Sequence, residues 1–344
     1  MTIHITDEYD GRLLRSFLKL TLGISTAVLS KLKNHERGIL VNGERVTVRY
    51  VLRTGDVLEL WDRDTAETAT EHVIPVRLPL TVLYEDPNVI ALDKPAGMPT
   101  HPSHGHLCDT LANALAFRYA EADEPFVFRP LGRLDRNTSG VVVAGKTRAA
   151  SGCLSRALKD GEILKRYVAI LTGELPVDGT VHTLNLPIYH PDGTGIRRRV
   201  GEADTPGAVL AETRYRVLAA GGGLTLVLAR PVTGRTHQLR VHFSHIGHPI
   251  LGDDVYGEVS PLIGRHALHA LSLTLPLPYA RLRAADGGAL LDASQPLPNT
   301  PTPDGHLHTL APLPEDMQRI LAAVFPDALP PFGITWETLI REEL

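Results

Sequence analysis

The stretch GRLDRNTSG, residues 132–140, holds one carboxylate, Asp135, among the arginines Arg129, Arg133 and Arg136. Turn-forming residues follow it, then the apolar run Val141–Ala144, which predicts a buried strand. A carboxylate at such a turn is held by rigid scaffold at a cleft edge, where a nucleophile or general base belongs. The same residue would serve equally as a turn cap or as the partner of a neighbouring arginine, and its local sequence does not choose. A second stretch, PVTGRTHQLRVH (231–242), puts Arg235 where an apolar strand ends and a helix opens. An arginine there can clamp a carboxylate through two hydrogen bonds, with Asp135 as the candidate partner. Alternatively it is a surface arginine at a helix start, where the helix dipole does not welcome a cation. A third stretch, EILKRYVAIL (162–171), reads as a strand with Lys165 and Tyr167 on one face. A tyrosine beside a lysine at a cleft can stack on a nucleobase while the lysine meets phosphate; a half-buried strand tyrosine is the plain alternative.

His237, His242, His245 and His248, followed by Asp253-Asp254, invite a metal-hydrolase reading. Their spacing argues against it. Gly247 and Pro249 break the helix before His248, and no HExxH pair occurs, so no metal site is expected. Phosphate-binding loops, dinucleotide fingerprints and serine-hydrolase elbows are also missing from the sequence. The expected chemistry uses no cofactor.

The 344 residues suggest two domains, and 43% hydrophobic with 22% charged content suits a globular chain. Aromatic content of 5% disfavours a single-strand binder built on many stacking platforms. The net charge is −4, yet two zones are basic. Residues 11–55 carry nine bases against two acids, a balance of +7, and residues 129–166 nine against three, a balance of +6. Basic zones on an acidic remainder suit a polyanion-binding face. Cys108 and Cys153 fit neither a disulfide framework nor a zinc spacing. The N-terminus has no apolar signal-like core, and no apolar run reaches the ~18 residues a membrane span needs. A cytoplasmic monomer is expected.

The elements that must position these residues follow from periodicity. Leu13, Leu14, Phe17 and Leu18, then Val28, Leu29 and Leu32, predict two short helices, the second capped by Ser25. Asn42-Gly43 predicts a hairpin, and Val57–Leu60 a closing strand. Residues 1–62 are read as one small α/β unit, 63–78 as a linker, 79–325 as a second domain, and 326–344 as a tail. In the second domain strands are expected on both sides of Asp86-Pro87, at Val141–Ala144, at Leu164–Leu171, and at Ala211–Leu218 paired with Leu224–Ala229. Helices are expected over Asp109–Ala120, Thr147–Lys159 and Pro314–Phe325, with another starting near Thr236. Residues 275–308 read as a proline- and glycine-rich insertion. Strands outnumber long helices and βαβ periodicity is poor, so the fold class is α+β.

Taken together, the blocks VLYEDPNVIALDKPAGMPTHPS, GRLDRNTSGVVVAGKT, LKRYVAIL, PVTGRTHQLRVHFSHIGHPILGDDVYG, RHALHA and APLPEDM resemble, in order, the RluA class of RNA pseudouridine synthases. They span most of Thr81 to Met317. Residues 11–60 resemble the ribosomal S-four-like RNA-binding domain that many members carry. The resemblance implies a mixed, mainly antiparallel sheet with a central cleft. It also implies conversion of uridine to pseudouridine within RNA, without metal or cofactor. Asp135 matches the family's essential aspartate, either nucleophile or base, and Arg235 the arginine that pairs with it. Tyr167 matches the tyrosine packed on the target base, Lys165 the lysine before it, and Arg133 the arginine that fills the gap left by a flipped nucleotide. Arg129 and Arg136 are expected either to meet the RNA backbone or simply to be solvated, and Arg12, Lys31 and Lys33 are expected to bind RNA.

Uracil never leaves in such a reaction, so one carboxylate suffices and water is excluded rather than activated. The small domain tilts the expected substrate toward large-subunit rRNA over tRNA. The sequence departs from the family pattern at Gly132, where histidine is frequent, and at Asp93, where asparagine commonly precedes Lys-Pro. The alternative is a non-catalytic RNA-binding or ribosome-assembly factor on the same scaffold.

Overall fold

The computed structural model describes residues 2–61, 73–191, 193, 195–277, 299–302 and 305–326. The chain opens with β1 (Thr2–His4), then α1 (Leu14–Ser16), which widens into a π turn over Phe17–Thr21, and α2 (Thr26–Asn34). Ser25 caps α2 by accepting a hydrogen bond from the Val28 backbone N–H at 3.3 Å. Strands β2 (Ile39–Val41), β3 (Glu44–Arg45) and β4 (Val57–Leu60) complete a sheet of order β1-β4-β2-β3. Asn42 and Gly43 both take positive φ, 53° and 81°, the geometry a two-residue hairpin requires. Phe17, Leu14, Leu29 and Leu58 are buried inside this unit, and Ala149 and Cys153 of the larger unit enter the same core.

The larger unit runs through β5 (Thr81–Glu85), β6 (Val89–Lys94), α3 (Leu111–Glu121), β7 (Arg129–Pro130), β8 (Ser139–Gly145) and α4 (Arg148–Lys159). It continues with β9 (Leu164–Thr172), β10 (His182–Asn185), β11 (Ile188–Tyr189), β12 (Arg199–Val200), β13 (Glu212–Gly221) and β14 (Leu224–Pro231). It ends with α5 (Gln238–His245), β15 (Leu268–Pro276), β16 (Thr300–Pro301), β17 (His306–Leu310) and α6 (Glu315–Val324). The main path of the large sheet is β10-β13-β14-β9-β15-β8-β6-β5. The β8–β15 pair is parallel; its neighbours along that path pair antiparallel. The fold is α+β, as expected.

Both β8 and β15 are buried along their whole length, which explains their continuous apolar runs. Helices α3 and α4 contribute to the cores on the β6–β8 half, and α5 and α6 to the core on the β9–β14 half. The parallel pair is close enough to demand glycine. Gly140 sits at φ 111°, and a Cβ there would collide with the Ala270 carbonyl.

The expected insertion at 275–308 needs revision at its flanks. Leu275 and Pro276 belong to β15, while Thr300–Pro301 and His306–Leu310 extend the sheet from it. Proline there is tolerated at a strand end and on a short edge strand. Residues 278–298, the tail 327–344 and the linker segment 62–72 lie outside the described residues.

Candidate active site

Asp135 sits on the loop that enters β8, and nearly every peptide of that loop is tied to something rigid. The Thr100 hydroxyl donates to the Leu134 carbonyl at 3.0 Å. The Thr138 N–H donates to the Asp135 carbonyl at 3.1 Å. The Arg136 carbonyl accepts from the Gly97 N–H at 2.9 Å and from Lys94 Nζ at 3.1 Å. Arg265 donates to the Asn137 carbonyl at 3.0 Å while Asp316 of α6 holds its fork at 2.7 and 3.0 Å. The Thr138 hydroxyl lies 2.8 Å from His266 Nε2, and that of Ser139 2.9 Å from His269 Nδ1. Such over-determination fixes a carboxylate to within the tolerance a reacting group needs.

Lys94 is fully buried and also donates to the Pro95 and Met98 carbonyls at 2.9 and 2.7 Å. Burial lowers its pKa to about 7, against the pull of Asp135. Its three donated bonds use three protons, which only the ammonium carries. The DKPAG and RHALHA blocks of the sequence therefore act as braces for the Asp135 loop.

The carboxylate's basic partner is Arg240, not Arg235. Arg240 Nη1 donates to Asp135 Oδ2 at 3.2 Å. Its other edge clamps Asp253 through two bonds of 2.7 and 2.8 Å. Arg240 is 5% exposed and the Asp253 side chain 0%, so the ion pair is shielded from solvent. Burial alone would raise the Asp253 carboxyl, but Arg240 and the backbone N–H groups of Val255 and Tyr256 bring it below its ordinary value. Arg235 instead donates from Nε to the Leu210 carbonyl at 3.0 Å. It precedes α5, outside the buried face, whereas Arg240 lies within Gln238–Phe243, all of it buried. A cation inside a buried helical run needs an anionic partner, and that signal in HQLRVH points to position 240.

From the sequence, His237 is only a metal candidate. It holds a left-handed backbone at φ 59° before α5. Its Nδ1 lies 2.8 Å from the Tyr256 hydroxyl and its Nε2 3.6 Å from Asp135 Oδ2. Burial lowers its pKa, with Asp135 opposing. His242 is buried between the Thr213 hydroxyl and the Leu186 carbonyl, both at 3.0 Å. His248 turns to the Thr172 carbonyl. These three histidines thus face different partners.

Asp135, Arg240, His237, Tyr167, Lys165 and Arg133 line one cavity of about 570 Å³, and Arg235 stands on its wall. That volume falls within the usual range of ligand pockets. Burial, then the charge on Asp135, raises the Tyr167 phenol above its ordinary range, so it stays protonated. Burial lowers Lys165. A Cβ on Gly132 would lie 3.5 Å from Lys165 Nζ, so the ammonium occupies ground beside the position that departs from the family pattern. Arg136 lies across the loop, 3.4 Å from His106. Arg129, Arg12, Lys31 and Lys33 lie elsewhere: Arg129 beside α4, Arg12 over the Tyr9 ring, and the lysines on α2.

Residues 88–245 match the family model described as RNA pseudouridylate synthase. The chain is 38% identical over 266 residues to "Uncharacterized RNA pseudouridine synthase YjbO" of Bacillus subtilis, covering 76% of this chain and 90% of that one. It is 35% identical to "Ribosomal large subunit pseudouridine synthase D" of Xanthomonas campestris, over 84% of this chain and 82% of the other. Among solved structures, human RNA pseudouridylate synthase domain containing 4 shares the fold, with a TM-score of 0.50 and 23% identity, over 70% of this chain and 91% of that one. With its carboxylate, tyrosine and guanidinium gathered in one cleft, the chain belongs to the RNA pseudouridylate synthase family.

Proposed function

We propose that this protein isomerises uridine to pseudouridine in structured RNA, with Asp135 as the reacting carboxylate. The single observation that carries the assignment of roles is the Asp135–Arg240–Asp253 array, whose first two members line the cavity. The N1–C1′ bond of the target uridine breaks, uracil rotates in place, C5 bonds to C1′, and the C5 proton is released while N1 gains one. Arg240 reaches Oδ2 of Asp135, and among the described residues no hydrogen bond is made to Oδ1. That oxygen is available either to attack the sugar or to take a sugar proton.

Tyr167 supplies the cavity's aromatic face, on which a detached uracil can turn without meeting water. The target base must leave its stack to enter, at a cost of a few kcal/mol. Arg133, exposed at the cavity mouth, is suited to take its place, with Lys165 on a phosphate or a uracil carbonyl. The small N-terminal unit, with its +7 balance over residues 11–55, supports an RNA-binding role of the S-four-like kind. The substrate favoured is large-subunit rRNA, in line with the name of the 35% identical relative. A monomer in the cytoplasm fits this work; among the described residues no helix is long and apolar enough to cross a membrane.

Pseudouridine mapping of rRNA and tRNA from cells with and without the protein tests the reading. Loss of one or a few rRNA sites is expected. Loss confined to tRNA would move the substrate, and an unchanged map in both would overturn the function.

A further inference from the structure

We propose that the seam between the two units is a backbone-binding groove that receives the RNA strand leaving the active-site cavity. The inference rests on the synthase reading and assigns part of its substrate contact. The groove encloses about 750 Å³ between the start of α2 and the outer face of α4. Among the described residues, Arg129, Arg148, Arg156 and Lys159 line it with one acid, Asp160, which pairs with Arg156 at 3.3 Å, on a chain whose net charge is −4. Ser25 and Val28 form the opposite wall. Lys31 lies one helical turn beyond Val28 and is exposed, which extends the basic track onto the small unit.

Two segments connect this groove to the catalytic cavity. Arg129 lies in the groove while Leu131 and Gly132 line the cavity; Lys159 and Asp160 lie in the groove while Leu158 and Gly161 line the cavity. The two hollows therefore share the rims 129–132 and 158–161. A strand whose target nucleotide is held at Asp135 needs only to cross that rim to reach Arg129, Arg148 and Lys159.

The groove is also built to keep its width. Cys153 Sγ donates to the Leu22 carbonyl, and Arg156 Nη1 donates to the Lys19 carbonyl at 3.0 Å. Gly23 and Gly152 pack so closely that a Cβ on either would sit 3.1–3.2 Å from the other's carbonyl oxygen. Ala149 and Cys153 share the small unit's hydrophobic core. The two walls thus form one docked body, so phosphate spacing can be read across them, whereas a tethered domain would contribute only local concentration.

The test uses the full chain and an unmodified transcript of large-subunit rRNA, with filter binding over a salt series. In the double variant R148Q/K159Q, affinity near 0.15 M salt should fall on the order of 10-fold. The slope of log affinity against log salt should shrink by about 1.4 to 1.8, as two phosphate contacts are lost. The charge-keeping variant R148K/K159R should recover most of both. Circular dichroism and melting separate folding failure from lost contact, and Lys159 is exposed, so K159Q alone should stay folded and carry about half the slope change. Unchanged affinity and slope in folded R148Q/K159Q would overturn the groove. Absence of uridine isomerisation by the unaltered protein would instead overturn the synthase reading, with binding still deciding the groove.

Discussion

At the scale of single residues, the site turns on which guanidinium meets Asp135. Arg240 holds the partly exposed Asp135 and the fully buried Asp253, so removing it strands the buried Asp253 charge. Arg240→Met should cost about 3–5 kcal/mol of stability and abolish isomerisation. Arg240→Lys keeps the charge but cannot bridge Asp253 with two bonds and still reach Asp135, so it should fold better than the methionine variant yet stay poorly active. Arg235→Gln is the contrast. Its guanidinium reaches one backbone carbonyl, so urea unfolding should shift by less than about 1 kcal/mol. Equal destabilisation by Arg235→Gln and Arg240→Met would undo this assignment.

At the scale of elements, the parallel contact of β8 with β15 holds the Asp135 loop. Gly140→Ala adds a Cβ against the Ala270 carbonyl at a φ of 111°. It should lower the melting temperature by an amount matching about 3 kcal/mol or more, with activity lost alongside. Most elements were legible because each carried a local signal. Ser25, Asn42-Gly43, Thr147 and the Gly221–Gly223 turn all mark boundaries that the chain obeys. The site was legible in part. Asp135, Tyr167 and Lys165 announce themselves by sitting at strand ends and on one strand face. The partner of Asp135 did not, because Arg235 and Arg240 differ only in burial, a property of α5 packing on β13 and β14. The braces Lys94, Arg265 and His266 were hidden for a related reason. Each acts on a carbonyl or hydroxyl remote in sequence, and only the folded sheet brings the two ends together.

At the scale of the whole molecule, buried histidines set the acid limit. His242, His266 and His269 have pKa values lowered to about 4 by burial, against 6.5 in an unfolded chain. Between about pH 6.5 and 4 the unfolded state binds protons that the folded state refuses. Stability should therefore fall as pH drops through that window, by about 3 kcal/mol per histidine at full extent, and be level above it with respect to these groups. Asp93, raised to about 6 by burial, pulls the other way over its part of the window but is one group against three. Urea midpoints at pH 7 and 4.5 check this; a higher midpoint at 4.5 would contradict it. The central claim, that Asp135 exchanges the N1–C1′ bond of uridine for a C5–C1′ bond, is tested most directly by tritium release. With rRNA transcript made from [5-³H]uridine, the unaltered protein should release one tritium per target uridine while RNA mass stays constant. Asp135→Asn should fold normally, bind the same transcript, and release tritium on the order of 10⁴-fold more slowly or not at all. Release by Asp135→Asn at the rate of the unaltered protein would contradict the account.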